Sequence, residues 1–212
     1  MTREDLMSRL QRKRKTGIRS DEEVARVLSG KALPGHVPGL PRPERAYTPA
    51  AVLVPLIDRP DDITVLLTQR TDHLTHHPGQ ISFPGGRIED DDENAPQKTA
   101  LRETEEEIGL SADKVEIIGR LDDYYTGTDY HIVPVIGWIE PPFDLTPEPF
   151  EVADVFEVPL SFLLDERNYR KDVMTYRGSE RWFHAVPYRD RYIWGATAGM
   201  LVNLRDVLKS SS

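Results

Sequence analysis

The stretch ALRETEEEIGL, residues 100–110, places Glu103, Glu105, Glu106 and Glu107 within five consecutive positions. Read as a helix, it has clear ends. Asn94 can cap it, Pro96 suits its first turn, and Gly109 can close it in a left-handed conformation. At about 100° per residue, Glu103, Glu106 and Glu107 share one face. Ala100, Leu101, Thr104 and Ile108 share another that can meet a core, and Glu105 points to solvent. No lysine stands four residues away from the three clustered acids, and only Arg102 adjoins them. Acids near a helix C-terminus oppose the macrodipole, and like charges at i,i+4 repel by a few tenths of a kcal/mol. A solvated acidic face is the commonest reason for such a run. Here the repulsion calls for a cation, and hard divalent ions take carboxylate oxygens together with substrate phosphates.

The surroundings fix the fold class. AAVLVPLI (50–57) and ITVLLTQR (63–70) are short apolar runs rich in β-branched residues, joined across DRPDD, and read as two strands. Further strands are expected at 80–83, 115–121, 131–139, 154–160, 179–188 and 191–194, with a last helix over 196–208 whose Leu201, Leu204, Val207 and Leu208 line one face. Strands, one helix, more strands and a final helix make an α+β fold with a mixed sheet rather than a βαβ alternation.

Residues 1–45 differ in character. EDLMSRLQRKRK is polar, with Leu6, Met7 and Leu10 at helical spacing. SDEEVARVLSG reads as a short helix capped by Ser20 and ended by Gly30, and LPGHVPGLPRP as an extended connector. The expected division is a helical extension with a Pro/Gly-rich connector over 1–45 and a main domain over 46–212. A chain beginning near Ala46 is expected to keep its activity. The extension is expected to pack on the domain or to mediate self-association as a homodimer.

Composition limits the function. The chain has 212 residues and a net charge of −9, which argues against a phosphate-tracking nucleic-acid surface. An acidic protein can still take a phosphorylated small molecule if metal ions neutralise the site. The basic run from Arg12 to Arg19 reads as a solvated helix face. The absence of cysteine removes disulfides, zinc–thiolate sites and thiol nucleophiles, and fits a cytoplasmic location. No long apolar run or secretory leader is present, so no membrane partner is expected. The acidic loop DDDENAPQKTAL lacks the glycine and glutamate spacing of a calcium hand, and HLTHH (73–77) lacks zinc-site spacing.

Upstream of the glutamate helix lies GQISFPGGR, in which Gly85 and Gly86 allow close approach of backbone. A strand, a glycine pair, an acidic loop and then Arg-Glu and Glu-Glu on one helix ending at glycine together resemble the Nudix hydrolases, whose pattern is G-x5-E-x7-R-E-U-x-E-E-x-G-U with U aliphatic. Arg102 to Leu110 supply its second half, with Thr104 in place of an aliphatic residue. The first half is stretched: fifteen residues separate Gly86 from Arg102, two more than the pattern has, and the acid of that half is Glu93 or Asp92. LLTQRTDHLTHHPGQISFPGG (66–86) is similar to the segment of the coenzyme A pyrophosphatase branch, matching at Leu66, Leu67, Thr68, Arg70, Gly79, Phe83, Pro84, Gly85 and Gly86. Thr75 stands where that branch has arginine. YIWGATAGML is similar to its C-terminal segment.

The resemblance implies an α/β/α Nudix sandwich from about residue 47 to 208 and an enzyme that hydrolyses a nucleoside diphosphate linked to another group. It implies Mg²⁺ or Mn²⁺ as cofactor. Glu103 and Glu107 are then its first ligands, and Glu106 a third ligand or the acceptor of the water proton. Arg102 orients a glutamate, and Gly85, Gly86, Gly79 and Arg70 meet the substrate. Coenzyme A or its thioesters, cleaved to phosphopantetheine and adenosine 3′,5′-bisphosphate, is the implied substrate. ADP-ribose, a dinucleotide or a nucleoside triphosphate is the alternative. A nucleotide-sensing module that does not cleave is the reading from another class.

Overall fold

The computed structural model describes residues 1–12, 18–75, 77–176 and 178–209 except 32–45. In chain order the elements are α1 (Arg3–Arg12), β1 (Ile18–Ser20), α2 (Asp21–Ser29), β2 (Thr48–Asp58), β3 (Ile63–Arg70), β4 (Ile81–Ser82), β5 (Gly85–Arg87), α3 (Pro96–Ile108), β6 (Val115–Arg120), β7 (Asp123–Tyr125), β8 (Tyr130–Ile139), β9 (Val152–Pro159), α4 (Leu160–Leu164), β10 (Arg170–Tyr176), β11 (Ser179–Tyr188), β12 (Arg191–Trp194) and α5 (Gly195–Lys209). The main sheet runs β1-β7-β8-β2-β3-β4, with β5 beside β2, β6 beside β8 and β9 beside β3. Strand β2 pairs parallel with β8 and antiparallel with β3, so the sheet is mixed. Strands β10, β11 and β12 form a separate antiparallel sheet.

Strand β2 is buried along nearly its whole length because both faces of the sheet are covered. Its side chains alternate with period two. Val52, Val54 and Leu56 join the core that holds Leu201, Leu204 and Leu208 of α5, while Ala51 and Leu53 pack with Ala100 of α3. The arrangement is an α/β/α sandwich. Helix α3 turns Ala100, Thr104 and Ile108 to the sheet, all fully buried. Thr104, the departure from the aliphatic pattern, satisfies its hydroxyl by donating to the Ala100 carbonyl at 2.6 Å, so the polar group costs the core little.

The caps of α2 and α3 differ in how they match the sequence. Ser20 caps α2 by accepting from Glu23 N–H, and Gly30 ends it with φ of 67°. Gly109 ends α3 with φ of 70°, but its N-cap is Ala95 rather than Asn94. Glu93 and Asn94 both sit in the left-handed region, at φ of 54° and 57°. Asparagine tolerates that conformation well, and here it makes the bend into the helix instead of capping it.

The N-terminal residues share the core. Leu6 and Leu10 of α1 are buried with the side chains of α5, and β1 adds a parallel strand beside β7. Arg19 pairs with Asp122 at 3.1 Å and with Asp206 at 3.2 Å. Composition sets residues 1–31 apart; packing does not. The Pro/Gly-rich connector and most of the basic run lie outside the described residues. No helix among the described residues is long and apolar enough to cross a membrane.

Candidate active site

The local fold around the glutamates starts from the glycine pair. Strand β5 lies beside β2, with Val52 opposite Gly85 and Ala51 opposite Gly86. That register presses the pair against the C-terminal half of α3. A Cβ at Gly86 would fall 2.3 Å from the carboxyl carbon of Glu103, so only glycine leaves that carboxylate where it is. The Gly85 N–H donates to Glu107 Oε2 at 3.3 Å.

The three clustered acids are not equivalent. Glu107 is 6% exposed, Glu103 lies partly buried, and Glu106 projects outward with its side chain 60% exposed. Burial pushes the Glu107 carboxyl up to about 8; Arg70 opposes that shift and the Glu103 charge adds to it. Burial also raises Glu103, against the pull of Arg102. The structure thus brings Glu103 and Glu107 to the glycine pair and leaves Glu106 leaning toward Arg102, 3.3 Å away. Glu105 is exposed, as its helical position predicts.

Arg102 holds the helix and the acidic loop together. Its Nε and Nη2 donate to the two oxygens of Asp92 at 3.1 and 3.0 Å, its Nη1 to Glu103 at 2.8 Å, and its Nη2 also to the Arg87 carbonyl at 3.3 Å. Asp92 further accepts from Thr99 Oγ1 at 2.8 Å and from Glu89 N–H at 2.9 Å. The Arg102 guanidinium, chiefly, holds the Asp92 carboxyl well below the usual carboxylate range. Of the two acids left open by the sequence, Asp92 is the one that meets Arg102. Glu93 is exposed and pairs with Lys98 at 2.7 Å, while Asp92 stands six residues after Gly86, as the pattern's acid does. The two extra residues fall after it, at Glu93 and Asn94.

A cavity of about 550 Å³ opens beside the glycine pair. Arg70, Gly85, Gly86 and Arg87 line one part of it, and Gln80, Ile81, Ser82 and Phe83 carry the wall onward. Arg70 Nη1 lies 3.9 Å from Glu107 Oε1, so Arg70 faces the buried carboxylate. Of the remaining sequence candidates, Gly79 is not in the wall. Its φ is 66° and it makes the turn whose N–H reaches the Thr71 carbonyl. Thr75 is exposed and also outside the wall, while His77 lies in it. His76 falls outside the described residues. Sequence reasoning missed Asp21, Tyr130, Arg181 and Trp194 in the wall. They come from segments far apart in the chain, and no local pattern joins them.

The donor set suits a hard divalent cation. Two carboxylates, one deeply buried, converge at the glycine pair; Arg102 pairs with Glu103 at 2.8 Å, and Glu107 has only Arg70, at 3.9 Å, to offset it. Among the described residues no three acidic or imidazole side chains gather closely enough to hold an ion alone. An ion such as Mg²⁺, which completes its shell with water and substrate oxygens, fits two carboxylates.

The NUDIX domain family matches residues 47–177. The uncharacterized Nudix hydrolase NudL of Yersinia pestis (strain Pestoides F) is 37% identical over 155 residues, which cover 73% of this chain and 77% of that protein. NudL of Yersinia pseudotuberculosis (serotype O:1b, strain IP 31758) matches equally well. Among solved structures, the NUDIX domain of Shewanella oneidensis NrtR, crystallised with ADP ribose, is 22% identical, with a TM-score of 0.43 over 58% of this chain and 80% of that one. Nudix hydrolases generally use divalent metal ions on nucleotide-derived substrates. This chain belongs to the Nudix family and is a hydrolase of pyrophosphate bonds.

Proposed function

We propose that the protein hydrolyses the diphosphate linkage of coenzyme A or its thioesters, releasing phosphopantetheine and adenosine 3′,5′-bisphosphate, with Mg²⁺ or Mn²⁺ bound by Glu103 and Glu107. The observation that carries the reading is that the branch-like segment 66–86 forms one wall of the cavity: Arg70, Gln80, Ile81, Ser82, Phe83, Gly85 and Gly86 all line it. When bound, the ion supplies positive charge to the diphosphate and Lewis acidity to the attacking water.

The chain's own groups do the rest. Arg70 is fixed at a strand end and offers a guanidinium to a phosphate oxygen, a contact worth about 1.5–3 kcal/mol. Gly85 and Gly86 let substrate and backbone approach closely. Arg102 keeps Glu103 oriented while Asp92 takes most of its own charge. Glu106, exposed at the edge and 3.3 Å from Arg102, is the carboxylate that takes a proton from water.

Thr75 in place of the branch arginine favours a second reading, a Nudix pyrophosphatase on ADP-ribose, a dinucleotide or a nucleoside triphosphate. A non-cleaving nucleotide module is disfavoured because all three helix glutamates are present. A substrate panel with Mg²⁺ or Mn²⁺, its products identified by mass, tests the reading. Cleavage of coenzyme A to the two named products supports it. Cleavage of ADP-ribose but not of coenzyme A rejects it.

A further inference from the structure

The cavity has a second end, to which parts of the chain outside the family-matched stretch contribute. One register row crosses the main sheet from Arg87 on β5 to Ala50 on β2, Ile132 on β8 and Tyr124 on β7. Three strand spacings put the ends of that row about 14 Å apart. At the far end the buried Tyr124 donates its hydroxyl to Asp21 Oδ1 at 2.8 Å, and Gly127 N–H donates to Asp21 Oδ2 at 2.7 Å. A Cβ on Gly127 would lie 2.6 Å from Arg181 Nη1 and 3.5 Å from Asp21 Oδ2. The guanidinium and the carboxylate therefore both stand close to a loop residue that has no side chain, near enough for the charge of Arg181 to act on Asp21.

Asp21, Gly127 and Arg181 line the same cavity as Arg70, Gly85 and Gly86. Asp21 precedes residues 47–177, the part matched to the family, and Arg181 and Trp194 follow it. The end beside the glutamates belongs to the shared domain. At the end beside Arg181, the N-terminal segment and the β10–β12 sheet add to Tyr124 and Gly127 of that domain. A division of this kind places bond cleavage at one end and discrimination between substrates at the other.

The chemistry of the far end favours an anion. A guanidinium is always charged, and its planar fork matches a phosphate. Asp21 is itself pinned by two neutral donors, so its charge stays in place beside Arg181. Ile132, Trp194 and Met200 make the surrounding wall apolar, which strengthens any charge contact formed there.

We propose that Arg181 is a specificity-determining residue that receives a phosphomonoester carried by the substrate beyond its diphosphate, and that Asp21 is its positioning residue. The proposal rests on the coenzyme A reading, in which that group is the 3′-phosphate. It assigns to Arg181 the discrimination that Thr75, exposed and outside the wall, does not perform.

The test compares kcat and KM for coenzyme A and for 3′-dephospho-coenzyme A, using the full chain and its Arg181→Ala, Arg181→Lys and Asp21→Asn variants with Mg²⁺. The unmutated protein is expected to prefer coenzyme A at least tenfold in kcat/KM. Arg181→Ala should shrink that preference at least tenfold through KM for coenzyme A, and Arg181→Lys should restore part of it. Asp21→Asn should act in the same direction on the same parameter. If Asp21→Asn does not fold, Arg181→Ala decides alone, since its side chain lies on a partly exposed hairpin. A full preference retained in Arg181→Ala overturns the assignment and leaves the substrate reading standing. Equal use of both compounds by the unmutated protein rejects the coenzyme A reading and the assignment with it.

Discussion

Arg102 and Asp92 meet through two hydrogen bonds, at 3.1 and 3.0 Å, across ten residues of chain. The pair joins the acidic loop to the helix that carries Glu103, so the loop governs the site through one guanidinium. Asp92 is nearly buried whereas Arg102 is about a quarter exposed. Breaking a buried pair from one side costs about 3–5 kcal/mol, and the partial exposure of Arg102 lowers the expectation for Asp92→Asn to about 2–3 kcal/mol. For a chain of this size that is a fall of about 5–10 °C in Tm. Calorimetry on the metal-free protein checks it; an unchanged Tm rejects the bridge as a structural element.

The same pair sets an acid limit. The folded Asp92 carboxyl lies below its unfolded value of about 3.9. Its contribution is therefore complete above that pH and is lost as pH falls through the folded value. Stability should decline below about pH 4 more steeply in the unmutated protein than in Asp92→Asn. Parallel acid denaturation curves for the two would contradict this.

Gly86→Ala separates catalysis from folding. The methyl group would meet the end of the Glu103 side chain, not backbone. A flexible carboxylate can swing aside at little cost in stability, but then leaves its place at the glycine pair. Turnover is expected to fall at least tenfold, a barrier increase of about 1.4 kcal/mol or more, while Tm shifts by only a few degrees. Normal turnover in Gly86→Ala would show that the position of Glu103 against β5 does not matter.

How much of this was legible in sequence depended on the kind of force involved. Strands 63–70, 179–188 and 191–194 fall where their apolar patterns place them, because side-chain burial and β-branching act locally. Strand β5 (Gly85–Arg87) was not legible as a strand: Gly-Gly has no strand propensity, and pairing with β2 alone imposes it. Strand β10 is polar and mostly exposed, so it carries no hydrophobic signal. The helix face of Glu103 and Glu107 was readable from spacing, but the unequal burial of the three acids was not, since β5 decides it from another part of the chain. Asn94 was misread as a cap because asparagine favours caps and left-handed backbone alike, and its type does not tell which of the two it takes here.

Residues 1–31 are predicted to be required for a stable domain, contrary to what their composition implies. Leu6 is fully buried in the main core and Leu10 is 7% exposed. Leu6→Ala should cost about 2–5 kcal/mol, and a chain beginning near Ala46 should unfold at lower temperature or less cooperatively than the full protein. A truncated protein with the full Tm and full coenzyme A turnover would show that α1, β1 and α2 are accessory.

Glu107→Gln is the variant that most directly probes the proposed metal site. Glu107 is the most buried acid of α3, and its only cation within 4 Å among the described residues is Arg70 at 3.9 Å. The amide keeps the shape and can still meet Gly85 N–H through its carbonyl oxygen, but it removes an ionisable group whose charged form burial disfavours and Glu103 repels. Without metal the variant should therefore be at least as stable as the unmutated protein. With Mg²⁺ the order should reverse, because an ion that binds the folded state stabilises it by mass action, and the variant has lost one of two proposed ligands. Turnover at saturating Mg²⁺ should fall at least a hundredfold, about 2.7 kcal/mol in the barrier. Melting curves with a chelator and with Mg²⁺, alongside turnover, separate the two effects. A variant that melts like the unmutated protein in both conditions and turns over near-normally would remove Glu107 from the metal site.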